Sequence, residues 1–148
     1  TEYSPATTAA PSNPGLKATW HDFKGKTCSE IAAAPVKKTY RVEDVTIPKG
    51  VKSFIIGLTY KGYINIPEDG IYSFYLSSDD GSMLYIDGKQ VIDNDGLHAP
   101  GEVTGQAALK QGYHPIVVQY FDHGGGSIHL KVCGNDGKEI PFTYLYAH

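Results

Sequence analysis

Apolar and polar side chains alternate with a period of two along much of this chain. Tyr72, Phe74 and Leu76 alternate with Ser73, Tyr75 and Ser77, the pattern of a half-buried strand. A short apolar run, Met83-Leu84-Tyr85-Ile86, follows and stops at Asp87-Gly88, a hairpin signal. The acidic turn Asp79-Asp80-Gly81 lies between these two runs, so the stretch predicts a central hairpin. Ile128, Leu130 and Val132 share one face of a further strand, Ser127–Cys133.

The same signals predict strands over 16–23 around Trp20, 40–47, 53–60, 63–66, 90–92, 103–109, 113–121 and 139–146. Pro48-Lys49-Gly50, Lys61-Gly62, Pro67-Glu68-Asp69-Gly70 and Asn135-Asp136-Gly137 separate them as turns. About ten short strands at this spacing, with no helical pattern between them, predict an all-β, antiparallel two-sheet β-sandwich or a barrel. Tyr72, Phe74, Leu76, Val117, Ile128, Leu130 and Val132 are the expected core contributors. Residues 28–34, cut off by Pro35, are the one helix-friendly piece, short enough for a single turn or a loop. Residues 1–15, rich in Thr, Ala, Ser and Pro, are expected to be a linker or extended lead-in to a single domain over 16–148.

Composition fits this picture. The chain has 148 residues, enough for one domain with a real core, and its 17 Gly, 9 Pro and 11 Tyr suit turns and strands. Exposed tyrosines would also suit sugar binding, although packing within the sheets is the expected role of most of them. A formal charge of −3 and the lack of any Lys/Arg cluster argue against nucleic acid as a partner. Membrane insertion is not expected either, since no apolar stretch approaches the roughly 20 residues of a spanning helix. The chain starts at Thr1 with no signal peptide, as a processed form or an excised part of something longer would. Cys28 and Cys133 are compatible with one disulfide in an exported protein or with two buried thiols. No C-x-x-C or Cys/His cluster for zinc is present.

Five aspartates precede glycine, at Asp69, Asp80, Asp87, Asp95 and Asp136, and Asp-Gly is what a tight turn asks for. Asp80 differs in having Asp79 beside it, and two adjacent carboxylates repel unless something cationic or strongly donating lies between them. Asp122 ends the strand 113–121 and leads into His123-Gly124-Gly125-Gly126. A triple glycine between two good strands suggests backbone approaching a ligand, or a loop lined by carbonyls. Asp79, Asp80, Asp122 and neighbouring carbonyls would form an all-oxygen anionic site. Such a donor set favours Ca²⁺, which takes ~6–8 oxygens at ~2.3–2.6 Å; a plain acidic turn is the competing reading. Asp93-Asn94-Asp95-Gly96 lacks the later ligands and flanking helices of a helix-loop-helix calcium loop and is expected to be a surface turn. His98 and His123 could line a polar pocket, though none of the six histidines has metal-ligand spacing. Asp79 and Asp80 are too close together for a glycosidase pair, and no nucleophile elbow or Cys–His arrangement is visible. No catalytic residue is therefore assigned.

Residues 57–88, containing Ser-Asp-Asp-Gly-Ser and Leu-Tyr-Ile-Asp-Gly, together with 112–121, resemble the protective-antigen-type (PA-fourteen) domain. The resemblance extends from about Leu16 to Tyr146. It implies a two-sheet β-sandwich found as accessory modules of bacterial glycoside hydrolases, in toxins and in yeast adhesins. In the sugar-binding members, paired aspartates joined by a cis peptide hold a Ca²⁺ that glycan hydroxyls also coordinate, and this carries over to Asp79 and Asp80. The adhesins have an asparagine where this chain has Asp122, and their long specificity loops are missing here. The chain is closer to the hydrolase-linked modules, including those of β-hexosaminidases. Two functions follow: an exported carbohydrate-binding module, periplasmic, secreted or on the cell surface, or a structural domain that packs on a catalytic domain and binds no sugar. For the first, Asp79, Asp80, His98, His123, Gly124 and Gly125 are the expected sugar contacts and Asp79, Asp80 and Asp122 the metal ligands. The partners would be a glycan and the catalytic domain of the parent hydrolase.

Overall fold

A computed structural model describes residues 2–8, 11–52, 55–141 and 143–147. Its strands are β1 (Asn13–Pro14), β2 (Leu16–His21), β3 (Val36–Val42), β4 (Ile56–Ile66), β5 (Gly70–Asp79), β6 (Ser82–Ile86), β7 (Lys89–Asn94), β8 (Gly101–Leu109), β9 (Gly112–Asp122), β10 (Ser127–Cys133) and β11 (Tyr144–Tyr146). They form two antiparallel sheets, the larger built on the path β1-β11-β4-β9-β6-β7 with β2 and β3 attached, the smaller β10-β5-β8. The chain is thus an all-β two-sheet sandwich. Among the described residues no helix is long and apolar enough to cross a membrane.

The inward faces follow the alternation closely. Tyr72, Phe74, Leu76, Ile128, Leu130 and Val132 of the smaller sheet pack against Leu58, Tyr60, Leu84, Ile116, Val118 and Tyr120 of the larger one. Val117, an expected core residue, faces outward instead. The run Ile116-Val117-Val118 has no polar residue to fix its phase, and pairing with β4 places Ile116 and Val118 inside. A second apolar cluster, Phe23, Cys28, Ile31, Met83 and Phe121, lies on the outer face of the larger sheet. It is covered by the segment around a single 3-10 turn, Cys28–Glu30, where only one turn or a loop was expected.

Three strand expectations are corrected. The strand placed at 40–47 is β3, six residues of which precede Val42, because pairing with β2 extends back past Tyr40 and residues 43–46 bend away. The predicted turn at Lys61-Gly62 does not exist: β4 runs straight through it, paired with β9 from Ile56 to Ile66. Ser53 and Phe54, at the start of that predicted strand, lie outside the described residues, as does Phe142 in the segment 139–146. Most consequentially, β5 and β6 do not form a hairpin. β5 pairs with β8 and β10, and β6 with β7 and β9, so Asp79-Asp80-Gly81 carries the chain from one sheet to the other. The hairpin expected at Asp87-Gly88 joins β6 and β7.

Residues 2–8 are tied to the sandwich through Ser4, which exchanges backbone hydrogen bonds with Ala108 and Lys110. Both cysteines are free and buried, which resolves the two readings in favour of thiols. Burial, reinforced by Asp95, pushes the Cys28 thiol pKa far up and keeps it neutral.

Candidate functional site

The crossover at Asp79-Asp80 places two carboxylates at one end of the sandwich, beside the end of β9. A cis peptide joins them. The Asp80 N–H donates to the Phe121 carbonyl (3.1 Å) and the Phe121 N–H to the Gly81 carbonyl (3.0 Å), clamping the crossover to β9. Tyr120, inward-facing one residue earlier, donates its hydroxyl to the Asp79 carbonyl at 2.7 Å. Burial and the charges of Asp122, Asp79 and Asp80 push this phenol's pKa upward, so it remains a donor. From the other side, Ser78 donates to the Asp80 carbonyl at 2.7 Å.

Asp79, Asp80 and Asp122 come together so that one carboxylate oxygen from each lies within 4.8 Å of the others. Asp122 is only 4% exposed. Burial raises its pKa and neighbouring Asp80 adds to the effect, while the amides of Gly124, Gly126 and Gly125 pull in the opposite direction. Among the described residues, the ion pairs are Arg41–Glu43 and His114–Asp87, so no lysine or arginine neutralises this cluster.

Two loops converge on Asp80. In the β7–β8 loop the His98 N–H donates to Oδ1 at 3.1 Å, and in the glycine loop the His123 N–H donates to Oδ2 at 2.9 Å. Both histidines predicted near the site are therefore present, but through their backbone. The His98 ring faces the Ala99 and Asn94 carbonyls at 2.7 and 2.9 Å. Burial disfavours its charged form, yet those carbonyls and the charges of Asp80 and Asp79 outweigh this and lift its pKa. The His123 ring reaches the Gly25 carbonyl at 2.6 Å and stands edge-on to Phe121 and Phe23. Gly124 donates to Asp122 Oδ1 at 3.1 Å, and Gly124 and Gly125 are exposed at positive φ, leaving their backbone open beside the acids.

Sequence reading missed the supports behind these groups. Asn94, placed on a surface turn, is buried at the end of β7 and donates to the Leu76 carbonyl, the Ser78 hydroxyl and the Gly101 carbonyl, tying the two sheets together. The Asp95 carboxylate accepts from the backbone N–H groups of Cys28 and Gly96. Leu97, directly before His98 in the β7–β8 loop, is 51% exposed.

The donor set fits a hard divalent cation. It is oxygen-only and carries up to three negative charges, one of them buried, with no lysine or arginine among the described residues paired to them. Gly126 closes the cradle, since a Cβ there would meet the Asp79 carbonyl at 1.9 Å.

A two-sheet antiparallel sandwich with an acidic crossover at one end defines a β-sandwich domain that gathers three carboxylates beside its end loops. The profile of the PA14 domain matches residues 12–144, and the chain belongs to that family. A β-hexosaminidase of Porphyromonas gingivalis is 36% identical over 75 residues, which make up 50% of this chain and 9% of that protein. The chain thus spans a small part of that relative's length. Among solved structures, the PA14 sugar-binding domain from an RTX adhesin superposes with a TM-score of 0.76 at 16% identity, covering 93% of this chain and all of that one. An epithelial adhesin A domain from Candida glabrata in complex with Galb1-3GlcNAc gives 0.68 at 10% identity, over 95% and 89% of the two chains.

Proposed function

We propose that this domain is a non-catalytic carbohydrate-binding module that takes Ca²⁺ at Asp79, Asp80 and Asp122 and grips glycan hydroxyls there. The observation that carries this reading is the convergence of three carboxylate oxygens within 4.8 Å at an open loop end, uncompensated by any described lysine or arginine. A cation bound by these residues would offer coordination positions to neighbouring sugar hydroxyls.

The chain's own groups divide the remaining work. Asp80 is held by the His98 and His123 amides, which fix its carboxylate towards the cluster. Tyr120 and Ser78 fix the carbonyls on either side of the crossover. Gly124 and Gly125 expose backbone donors and acceptors to a ligand, and the backbone of His98 and His123 frames the opening. Leu97 offers an apolar contact for a sugar face. A shallow site of this kind should hold a monosaccharide at about millimolar Kd, near −4 kcal/mol.

The hexosaminidase relative supports a role as an exported accessory module, with residues 1–15 as a lead-in and 16–148 as the module, keeping a parent glycoside hydrolase on its glycan through avidity. A glycan array probed with and without a calcium chelator tests the reading. Signals that vanish on chelation and in Asp80→Asn support it. A blank array in calcium leaves a domain that only packs on its catalytic neighbour.

A further inference from the structure

The outer face of the larger sheet is covered at one end by the segment carrying Cys28 and Ile31 and lies open further along. On the open part, register places Arg41 of β3 opposite Lys17 of β2, and Lys17 opposite Lys61 of β4. Three cations thus stand side by side on adjacent strands, spanning roughly 10 Å at the ~4.8 Å strand spacing. All three are exposed. Like charges directly opposite one another destabilise a sheet. Arg41 has Glu43 at 3.8 Å, an exposed pair of little strength, and among the described residues neither lysine has a carboxylate within ion-pair distance. The row is notable in a chain of net charge −3.

The lysines sit where concave surface is available. Lys17 and Lys61 both line a groove of about 300 Å³ with Tyr63 and Tyr146 and another of about 470 Å³ with Thr59 and Gln119. Lys17, Arg41 and Tyr146 also line a third groove of about 310 Å³. Lys61 is five residues along β4 from Ile56, which pairs with Asp122, so the row is roughly 17 Å from the acidic cluster.

We propose that Lys17 and Lys61, flanked by Arg41, form a second and metal-independent site that binds the carboxylates of an acidic, uronate-bearing polysaccharide. The two lysines attract anionic groups, Tyr63 and Tyr146 offer ring faces to sugar rings, and Gln119 offers hydrogen bonds to hydroxyls. A protein partner fits less well, because interface cores are depleted in lysine and rich in apolar anchors. This site stands apart from the calcium reading and survives if that reading fails.

The test is calorimetric titration of the whole chain in chelator with oligogalacturonate, its methyl-esterified form, sulfated dextran and poly-glutamate. Oligogalacturonate should bind, weaken as the Debye length shrinks from about 30 Å at 0.01 M to about 3 Å at 1 M salt, and lose about tenfold in Lys17→Gln/Lys61→Gln. Asp79→Asn/Asp80→Asn should leave it unchanged, and the esterified form should not bind. The lysine double variant should melt no lower than the parent, since it removes a like-charge pair. Undiminished binding in that variant, equal binding of poly-glutamate, tighter binding of sulfated dextran, or no binding of oligogalacturonate would each overturn the proposal.

Discussion

A Cβ placed on Gly126 would stand 1.9 Å from the carbonyl oxygen of Asp79, closer than any two such atoms can approach. The glycine loop and the acidic crossover are in contact there only because residue 126 has no side chain. Gly126→Ala should therefore force the two apart, costing ~1–3 kcal/mol in denaturant unfolding and lowering calcium affinity. Gly125 is a contrast: it has a φ of +83° and open space around it, so Gly125→Asn should be tolerated far better, Asn being at home in that conformation.

Asp122→Asn separates the cost of the acidic cluster from its use. The buried carboxylate sits near Asp80 with its pKa raised by burial, so in chelator the neutral variant should be at least as stable as the parent. In calcium the order should reverse. At a metal concentration about a hundredfold above Kd, binding would stabilise the parent by about 2.7 kcal/mol, or roughly 5–10 °C in Tm. Asp79→Asn should abolish that gain and Asp80→Asn should largely do so. Paired melting curves in calcium and chelator check this, and an unchanged parent Tm would contradict it.

How much of this was legible beforehand varied with the kind of signal. Tyr72, Phe74 and Leu76 announced their face because Ser73, Tyr75 and Ser77 alternate with them, whereas Val117 has apolar neighbours on both sides and its phase was set by pairing with β4. Gly62 looked like a turn residue. It is needed within β4 because Leu16 and the Leu145 carbonyl come within 2.7 Å of where its Cβ would be. Asp79 and Asp80 stood out as adjacent like charges, and Asp122 through its glycine loop. Asn94, Ser78 and Tyr120 were invisible as site supports, because a single side chain bonding a backbone carbonyl leaves no periodic trace.

Tyr120→Phe should show what the support behind the acids contributes. Losing the 2.7 Å bond to the Asp79 carbonyl should lower stability by ~1 kcal/mol and weaken calcium binding with the core otherwise intact. Denaturant unfolding and calcium titration of the same sample check both parts.

The far end of the sandwich has its own polar anchor. His114 is fully buried, with Nδ1 3.0 Å from Asp87 Oδ2 and Nε2 2.7 Å from the Lys110 carbonyl, and Ser4 donates to the same aspartate at 2.6 Å. His114→Ala removes the ring packed on Asp87, leaves that carboxylate only Ser4 and empties a buried site, so it should cost ~3 kcal/mol or more, while Ser4→Ala should cost ~1 kcal/mol. Neither should change calcium binding, which separates overall stability from the site; both quantities are read by denaturant melts and calcium titration.

The proposed function rests on glycans binding through a cation held by Asp79, Asp80 and Asp122. Its most direct test is an NMR titration of the isotope-labelled domain with galactose, N-acetylglucosamine and N-acetylgalactosamine, run in calcium and again in chelator. At least one sugar should shift the resonances of Asp79, Asp80 and residues 122–126 at about millimolar concentration in calcium, and none should in chelator. Shifts that persist without metal, or no shift at these residues with calcium present, would contradict it.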